Sequence, residues 1–225
     1  MKIVCISDTH CQLDKVAVPE GDILLHAGDL TYRGDIYEMA GELLILGKLR
    51  RRFAHVAFVC GNHDWLGERD PALLRSLAAD HGLTWLQDES VTLDSTTWER
   101  AITVYGSAWT LEFCGWAFNM PRHDGTPERA WGKIPNGVDV LLTHGPAYGN
   151  LDESDDGHLG CTALSRAIEM VKPKLHVFGH IHSGYGRKVG ADGVTYVNAS
   201  VCTEGYKPTN APVVVEWPVK EAVDG

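Results

Sequence analysis

Short apolar runs, each closed by a polar cluster of one chemical kind, constrain this chain more than any other feature. Runs at 2–7, 22–27, 55–60, 138–143 and 174–178 are followed by Asp8-Thr9-His10, Gly28-Asp29, Gly61-Asn62-His63-Asp64, His144-Gly145 and Gly179-His180-Ile181-His182. The runs are mostly β-branched and bounded by Gly, Asp, Asn or Pro, which reads as strands. Further strands are expected at 101–106, 193–198 and 212–217. Several are apolar throughout, as strands buried on both faces are. Helical stretches lie between them. The first is expected at about 36–51, with Asp35 as N-cap and Glu38 completing a capping box. The second, at about 71–81, has Asp70 as N-cap, Pro71 at the first helical position and Gly82 at the left-handed C-terminal cap. The third, at about 161–171, stops before Pro173. Strands alternating with helices define an α/β architecture. If the strands run parallel, the five polar clusters meet at one sheet edge, beyond the strands' carboxyl ends, where ligand sites of open α/β sheets lie.

The donor chemistry follows from the residue types. Asp8, His10, Asp29, Asn62, His144, His180 and His182 offer carboxylate, imidazole and amide donors. Asp8 with His10, and His180 with His182, are two apart, a spacing that in extended backbone puts both side chains on one side. Seven donors exceed the three or four that one catalytic zinc takes from protein, and they suit two ions sharing a bridging carboxylate. Glycines 28, 61 and 179 are expected to let the backbone turn sharply beside the ions. Carboxylate and imidazole donors without thiolate favour Mn, Fe, Zn or Co, with Mn the first choice. Two divalent ions bring about +4, Asp8 and Asp29 subtract two, and a bridging hydroxide leaves about +1, a positive hole for an anionic ester.

The order D-x-H, G-D, G-N-H-D, H and G-H-x-H resembles the calcineurin-like metallophosphoesterase superfamily. The segments SDTH, GDILLHAGDLT, GNHD, LTHGPA, KPKLHVFGHIHSGYG, VNASVC and KPTNAPVV resemble its metallophosphoesterase-domain-containing (MPPED-type) subfamily, similar to class III cyclic nucleotide phosphodiesterases. The likeness runs from about 2 to 216. It implies a four-layer α-β-β-α sandwich, two mixed sheets flanked by helices. It implies one metal held by Asp8, His10 and His182, a second held by Asn62, His144 and His180, and Asp29 bridging both. His63 would sit by the leaving oxygen, with Asp64 orienting it. Some animal members carry Gly in place of the first histidine of G-H-x-H; this chain has His180 and the full ligand set. Some relatives have Glu after G-N-H, where this chain has Asp64.

Composition then narrows the function classes. Lysine and arginine total 20 against 30 acidic residues, a net charge of −10 that argues against nucleic acid and anionic membrane. No apolar run reaches the length of about 18 residues needed to span a bilayer. The opening Met1–Ser7 reads as a first strand rather than a leader. Six scattered cysteines form no CxxC pair, which fits a reduced, cytoplasmic protein rather than a disulfide scaffold. One domain over 1–225 is expected, with long substrate-side loops at about 107–136 and 145–160 and a tail at 218–225. Nothing marks an oligomer interface.

Among the loop aromatics Trp109 is the expected substrate contact, and Trp65, Phe113, Trp116, Phe118 and Trp131 are expected mainly to pack. Arg33 and Arg122 could grip phosphate. His26 and His176 read as core histidines, and His55, His81, His123 and His158 as solvent-facing. Arg50-Arg51-Arg52 ends a helix, where cations complement the dipole, and marks no nucleic-acid track. The leading expectation is a dinuclear-metal phosphodiesterase acting on small molecules such as cyclic nucleotides, by in-line attack of a metal-bridging hydroxide. Its competitors are a phosphomonoesterase or protein phosphatase on the same centre, and a non-catalytic metal-binding module.

Overall fold

In the computed structural model, which describes residues 1–217, the strand runs form two mixed sheets. The first sheet orders its strands Val213–Glu216, Lys2–Ile6, Ile23–His26, His55–Phe58 and Thr84–Trp85. Neighbours pair in parallel except Val213–Glu216, which runs antiparallel to Lys2–Ile6. The second sheet orders Gly186–Val189, Thr195–Asn198, Leu175–Phe178, Val140–Thr143, Ile102–Ser107 and Glu89–Leu93. Its four central strands are parallel and both edges are antiparallel.

Side-chain alternation explains how the layers stack. From Lys2–Ile6, Ile3 and Cys5 enter a core shared with Val104, Val140, Leu142, Val177 and Val197 of the second sheet. Val4 and Ile6 point the other way, onto Met39, Leu43 and Leu46 of the helix Ile36–Leu49. On the far side Leu141, Phe178 and Tyr196 pack against Leu164 and Ile168 of the helix Thr162–Val171. Three apolar interfaces between two sheets and two helical layers make the α-β-β-α sandwich.

The helix ends follow the sequence with one change. Asp35 caps Ile36–Leu49 by accepting from the amides of Tyr37 and Glu38, and Asp70 caps Pro71–Asp80 through Leu73. Glu38 does not close a reciprocal box on Asp35. Its carboxylate instead accepts from the amides of Tyr32, Arg33 and Gly34, tying the loop before the helix. Gly82 takes the left-handed conformation expected of it.

The segment 107–136 is not a plain loop. It holds the paired strands Thr110–Leu111 and Asn119–Met120 and the helix Thr126–Trp131. The expected tail at 218–225 lies outside the described residues. Among the described residues no helix is long and apolar enough to cross a membrane.

Glu42 interrupts the apolar stripe of Ile36–Leu49. It is buried, and its Oε2 has no hydrogen-bond partner. Burial, reinforced by the charge of Asp14, pushes its carboxyl up to about 7. An unfolded glutamate releases its proton near pH 4.3, so the native state binds the extra proton between roughly 4.3 and 7. Stability from this group therefore falls as pH rises through that window. Glu42→Gln should accordingly leave stability unchanged near pH 4 and raise it by roughly 1–3 kcal/mol near pH 8. Urea unfolding at both pH values checks this. An equal effect at both would sink it.

Candidate metal centre

The two sheets bring their carboxyl ends to one place. Ser7, just past Lys2–Ile6, bridges Ser200, just past Thr195–Asn198, and the amide of Val201 donates to the Ser7 carbonyl. Asp8, Asp29 and Asn62 follow strands of the first sheet; His144 and His180 follow strands of the second. The expected single edge is thus two sheet edges facing each other.

How Asp8 and His10 converge differs from the sequence argument. Neither is extended: Asp8 (φ 54°) and His10 (φ 43°) are left-handed, as are Asp29 (φ 54°) and His180 (φ 69°). Four non-glycine residues in this sparsely populated region mark backbone strain concentrated at the site. The glycine argument also changes. Gly28 has the positive φ expected of it (99°), but Gly61 and Gly179 serve by lacking a side chain. A Cβ on Gly61 would collide with Asp29 and His144, and one on Gly179 with Asp8 and Ser7.

The donors lie close together. His182 Nε2 is 3.3 Å from Asp8 Oδ1 and 3.4 Å from His10 Nε2. Asp29 reaches both sides, with Oδ2 3.8 Å from His10 Nε2 and Oδ1 3.4 Å from His144 Nε2. His144 Nε2 is 2.9 Å from Asn62 Oδ1, and the His144 and His180 rings are 5.0 Å apart. Donor atoms of Asp8, His10 and His182, and those of Asp8, Asp29 and His144, fall within metal-sharing range. His10, Asp29 and His63 make a third such group.

A common device orients four of the imidazoles. The Nδ1–H of His10, His63, His144 and His182 is placed to donate to the carbonyls of Thr31, Tyr32, Ala27 and Thr203, at 3.2, 2.7, 2.8 and 3.0 Å. That arrangement turns each Nε2 toward the cleft, as metal-ligating histidines require. Ser200 Oγ donates to Asp8 Oδ2 at 2.7 Å and also to Asn198 Oδ1. Neither residue was singled out from the sequence as part of the site. Ser200→Ala should weaken metal affinity about 10–100-fold without changing the fold, measurable by competition with a chelator. Unchanged affinity would remove Ser200 from the site's support.

Electrostatics test whether these residues fit cations. Burial opposes ionisation of Asp8 and Asp29, yet hydrogen bonds and fields from His182, His144 and His10 hold both carboxyls below their ordinary range. Burial likewise opposes the charge on His144, but Asp29 and Asp8 raise it to about 9. Burial and the charge of His144 push His180 down to about 4. The cluster therefore draws in positive charge, which divalent ions would supply. The cleft, about 330 Å³, has no lysine or arginine among its described lining residues, and Glu204 sits at its rim. With no lysine or arginine there, divalent cations would supply the positive charge that a phosphate ester needs. The donor set fits divalent metal ions.

The remaining expectations divide. Asp64 does not touch the His63 ring. It accepts from the amides of Leu30, Thr31 and Gly61 and from the Thr31 hydroxyl, and burial with the nearby Asp29 raises it to about 6. It ties two ligand loops together, and Tyr32 orients His63 in its place. Arg33 is exposed and does not line the cleft. Arg122 and Trp109 line a neighbouring cavity instead, and the Trp109 indole donates to Asp88. The aromatic on the catalytic side is Trp116, stacked on His63 at 4.3 Å between centroids. Tyr206, 4.8 Å from His10, also lines the cleft. Tyr206 follows the strands by too far for a strand-end reading to find it. His26 and His176 are core residues, bonded to Thr9 and Thr143 and lowered by burial to about 3.

The family model described as Calcineurin-like phosphoesterase matches residues 1–184. Human Metallophosphoesterase domain-containing protein 1 is 38% identical, the match covering 96% of this chain and 71% of that protein. A UPF0046 protein of Caenorhabditis elegans is 35% identical over 98% of this chain and 76% of its own length. A crystal structure with 15% identity superimposes with a TM-score of 0.58, covering 88% of this chain and 89% of the other, and supports the fold alone.

Proposed function

This chain belongs to the calcineurin-like phosphoesterase family, and from that premise we propose that it hydrolyses small-molecule phosphodiesters, cyclic nucleotides among them, at a two-metal centre. At the coarser level it is a metal-dependent phosphoester hydrolase. The finer reading rests on one observation. Seven donors from two sheets converge beside His63 in a cleft that has no lysine or arginine among its described lining residues.

In this reading Asp8, His10 and His182 hold one ion, Asn62, His144 and His180 hold the other, and Asp29 lies between them. When bound, two divalent ions polarise a phosphoryl oxygen and acidify a water for in-line displacement. Manganese suits the oxygen and imidazole donors. The protein's own part is orientation and proton delivery. His63 keeps Nδ1–H on the Tyr32 carbonyl, 2.7 Å away, and Trp116 packs against its ring. In its protonated form it presents Nε2–H to the departing oxygen, as a general acid must. The carbonyl of Tyr32 stabilises the imidazolium until the proton leaves.

Metal-stripped protein reloaded with Mn²⁺ should hydrolyse bis-p-nitrophenyl phosphate with a higher kcat/KM than p-nitrophenyl phosphate, and hydrolyse neither without metal. Preference for the monoester would replace this reading with a phosphatase. Silence on both, with two ions bound by elemental analysis, would leave a binding module.

A further inference from the structure

The cleft does not end at His180. A second cavity of about 240 Å³ opens beside it. Phe113, Leu159, His180 and Ile181 line both spaces. The far wall is apolar, built from Trp109, Leu111, Trp131, Pro146 and Leu164. Its few polar groups already have partners. The Thr110 hydroxyl donates to Asn119, the Cys161 sulfur accepts from the Trp131 indole, and the Gly145 carbonyl accepts from the Thr143 hydroxyl. The charged lining residues, Arg122 and Asp156, are exposed.

We infer that this cavity is a substrate subsite that takes one ester group of the diester, and that the group is uncharged, apolar and aromatic in size. The inference rests on the phosphodiester reading above and narrows it to diesters with one apolar aromatic ester group, away from cyclic nucleotides, whose single sugar carries both ester bonds.

Three observations carry it. The first is continuity: a phosphorus held at the donor cluster would lie by His180, and that residue lines both spaces. The second is volume. A dry apolar cavity of about 150 Å³ takes benzene, so 240 Å³ has room for a two-ring group. The third is polarity. A hydroxyl-rich group entering here would lose water to a wall that is mostly carbon and whose polar atoms are already engaged, a loss of roughly tenfold in affinity per unpaired group. Phe113, 60% exposed at the boundary, would be covered by an apolar occupant.

Phosphonates test this without turnover, because their P–C bond resists hydrolysis. Affinities of methylphosphonate, 2,3-dihydroxypropylphosphonate and naphthylmethylphosphonate would be measured by calorimetry on the Mn²⁺-loaded protein. The naphthyl compound should bind at least about tenfold more tightly than the other two. Leu111→Trp, which fills the cavity from its wall, should remove that advantage and leave methylphosphonate within about twofold of the parent protein. Equal affinities for all three would overturn the inference, and so would a variant, folded by circular dichroism, that weakens all three alike. The comparison of three ligands on the parent protein stands even if the variant fails to fold. The two readings also fail separately. Absence of diester turnover with the naphthyl advantage intact would overturn the phosphodiesterase and keep the apolar subsite. Diester turnover with no naphthyl advantage would do the reverse.

Discussion

His63→Ala, in protein carrying its full metal complement, is expected to lower kcat on an alkyl phosphodiester by about 10²–10⁴, the range of a lost general acid. The side chain holds none of the ions in the proposed assignment, so bound metal should stay unchanged by elemental analysis. The effect should depend on the leaving group. A nitrophenolate departs without help, so its loss in kcat should be smaller than that of an alkoxide by about tenfold or more. This pairing separates proton delivery from general damage. The Nδ1 atom is held 2.7 Å from the Tyr32 carbonyl and the ring lies against Trp116, so the imidazole is positioned by groups that survive the substitution. Equal losses on both leaving groups would remove the general-acid role, and a loss under about threefold would remove His63 from the chemistry.

Asp29→Ala should cost more, because in the proposed assignment one carboxylate serves both ions. Its oxygens lie 3.8 Å from His10 and 3.4 Å from His144, and Oδ1 also accepts from the His63 amide at 2.8 Å. Without it the bound metal should fall from two ions toward one or none. Losing several kcal/mol of metal assistance corresponds to about 10³ or more in kcat/KM. Asp29→Glu should not restore activity. The carboxylate already lies against Gly61, where even a Cβ would collide with it, so a longer side chain must shift its oxygens from their place between His10 and His144. Metal stoichiometry and kcat/KM on both variants check this, with circular dichroism to confirm folding. Two tightly bound ions in Asp29→Ala would refute the bridging assignment.

What the sequence reveals is the chemistry at the ends of buried strands. Apolar β-branched runs such as Ile23–His26 and Val140–Thr143 are legible because both faces are covered. The edge strands Glu89–Leu93 and Gly186–Val189 were not expected, because an edge carries polar residues such as Arg187 and Lys188 that read as loop. The donor residues were legible as a set, but not their backbone. Two-apart spacing suggests extended chain, whereas Asp8 and His10 are left-handed, a conformation that the surrounding loops impose. The supporting shell was illegible for another reason. Tyr32 orients His63 through its carbonyl, and a backbone group leaves no trace in residue identity. Trp116 sits between two short strands that the sequence reads as loop, and Tyr206 lies well past Thr195–Asn198, so only the folded chain brings them to the cleft.

The division of donors between the sheets has a consequence for biosynthesis. Asp8, Asp29 and Asn62 emerge early from a ribosome, while His144, His180 and His182 come from the second sheet, much later in translation. A nascent chain truncated before residue 144 carries two carboxylates and one imidazole of the set, with neither donor triad complete. In the proposed assignment neither ion's donor set is complete until the second sheet has been made, so both sites would close late in synthesis.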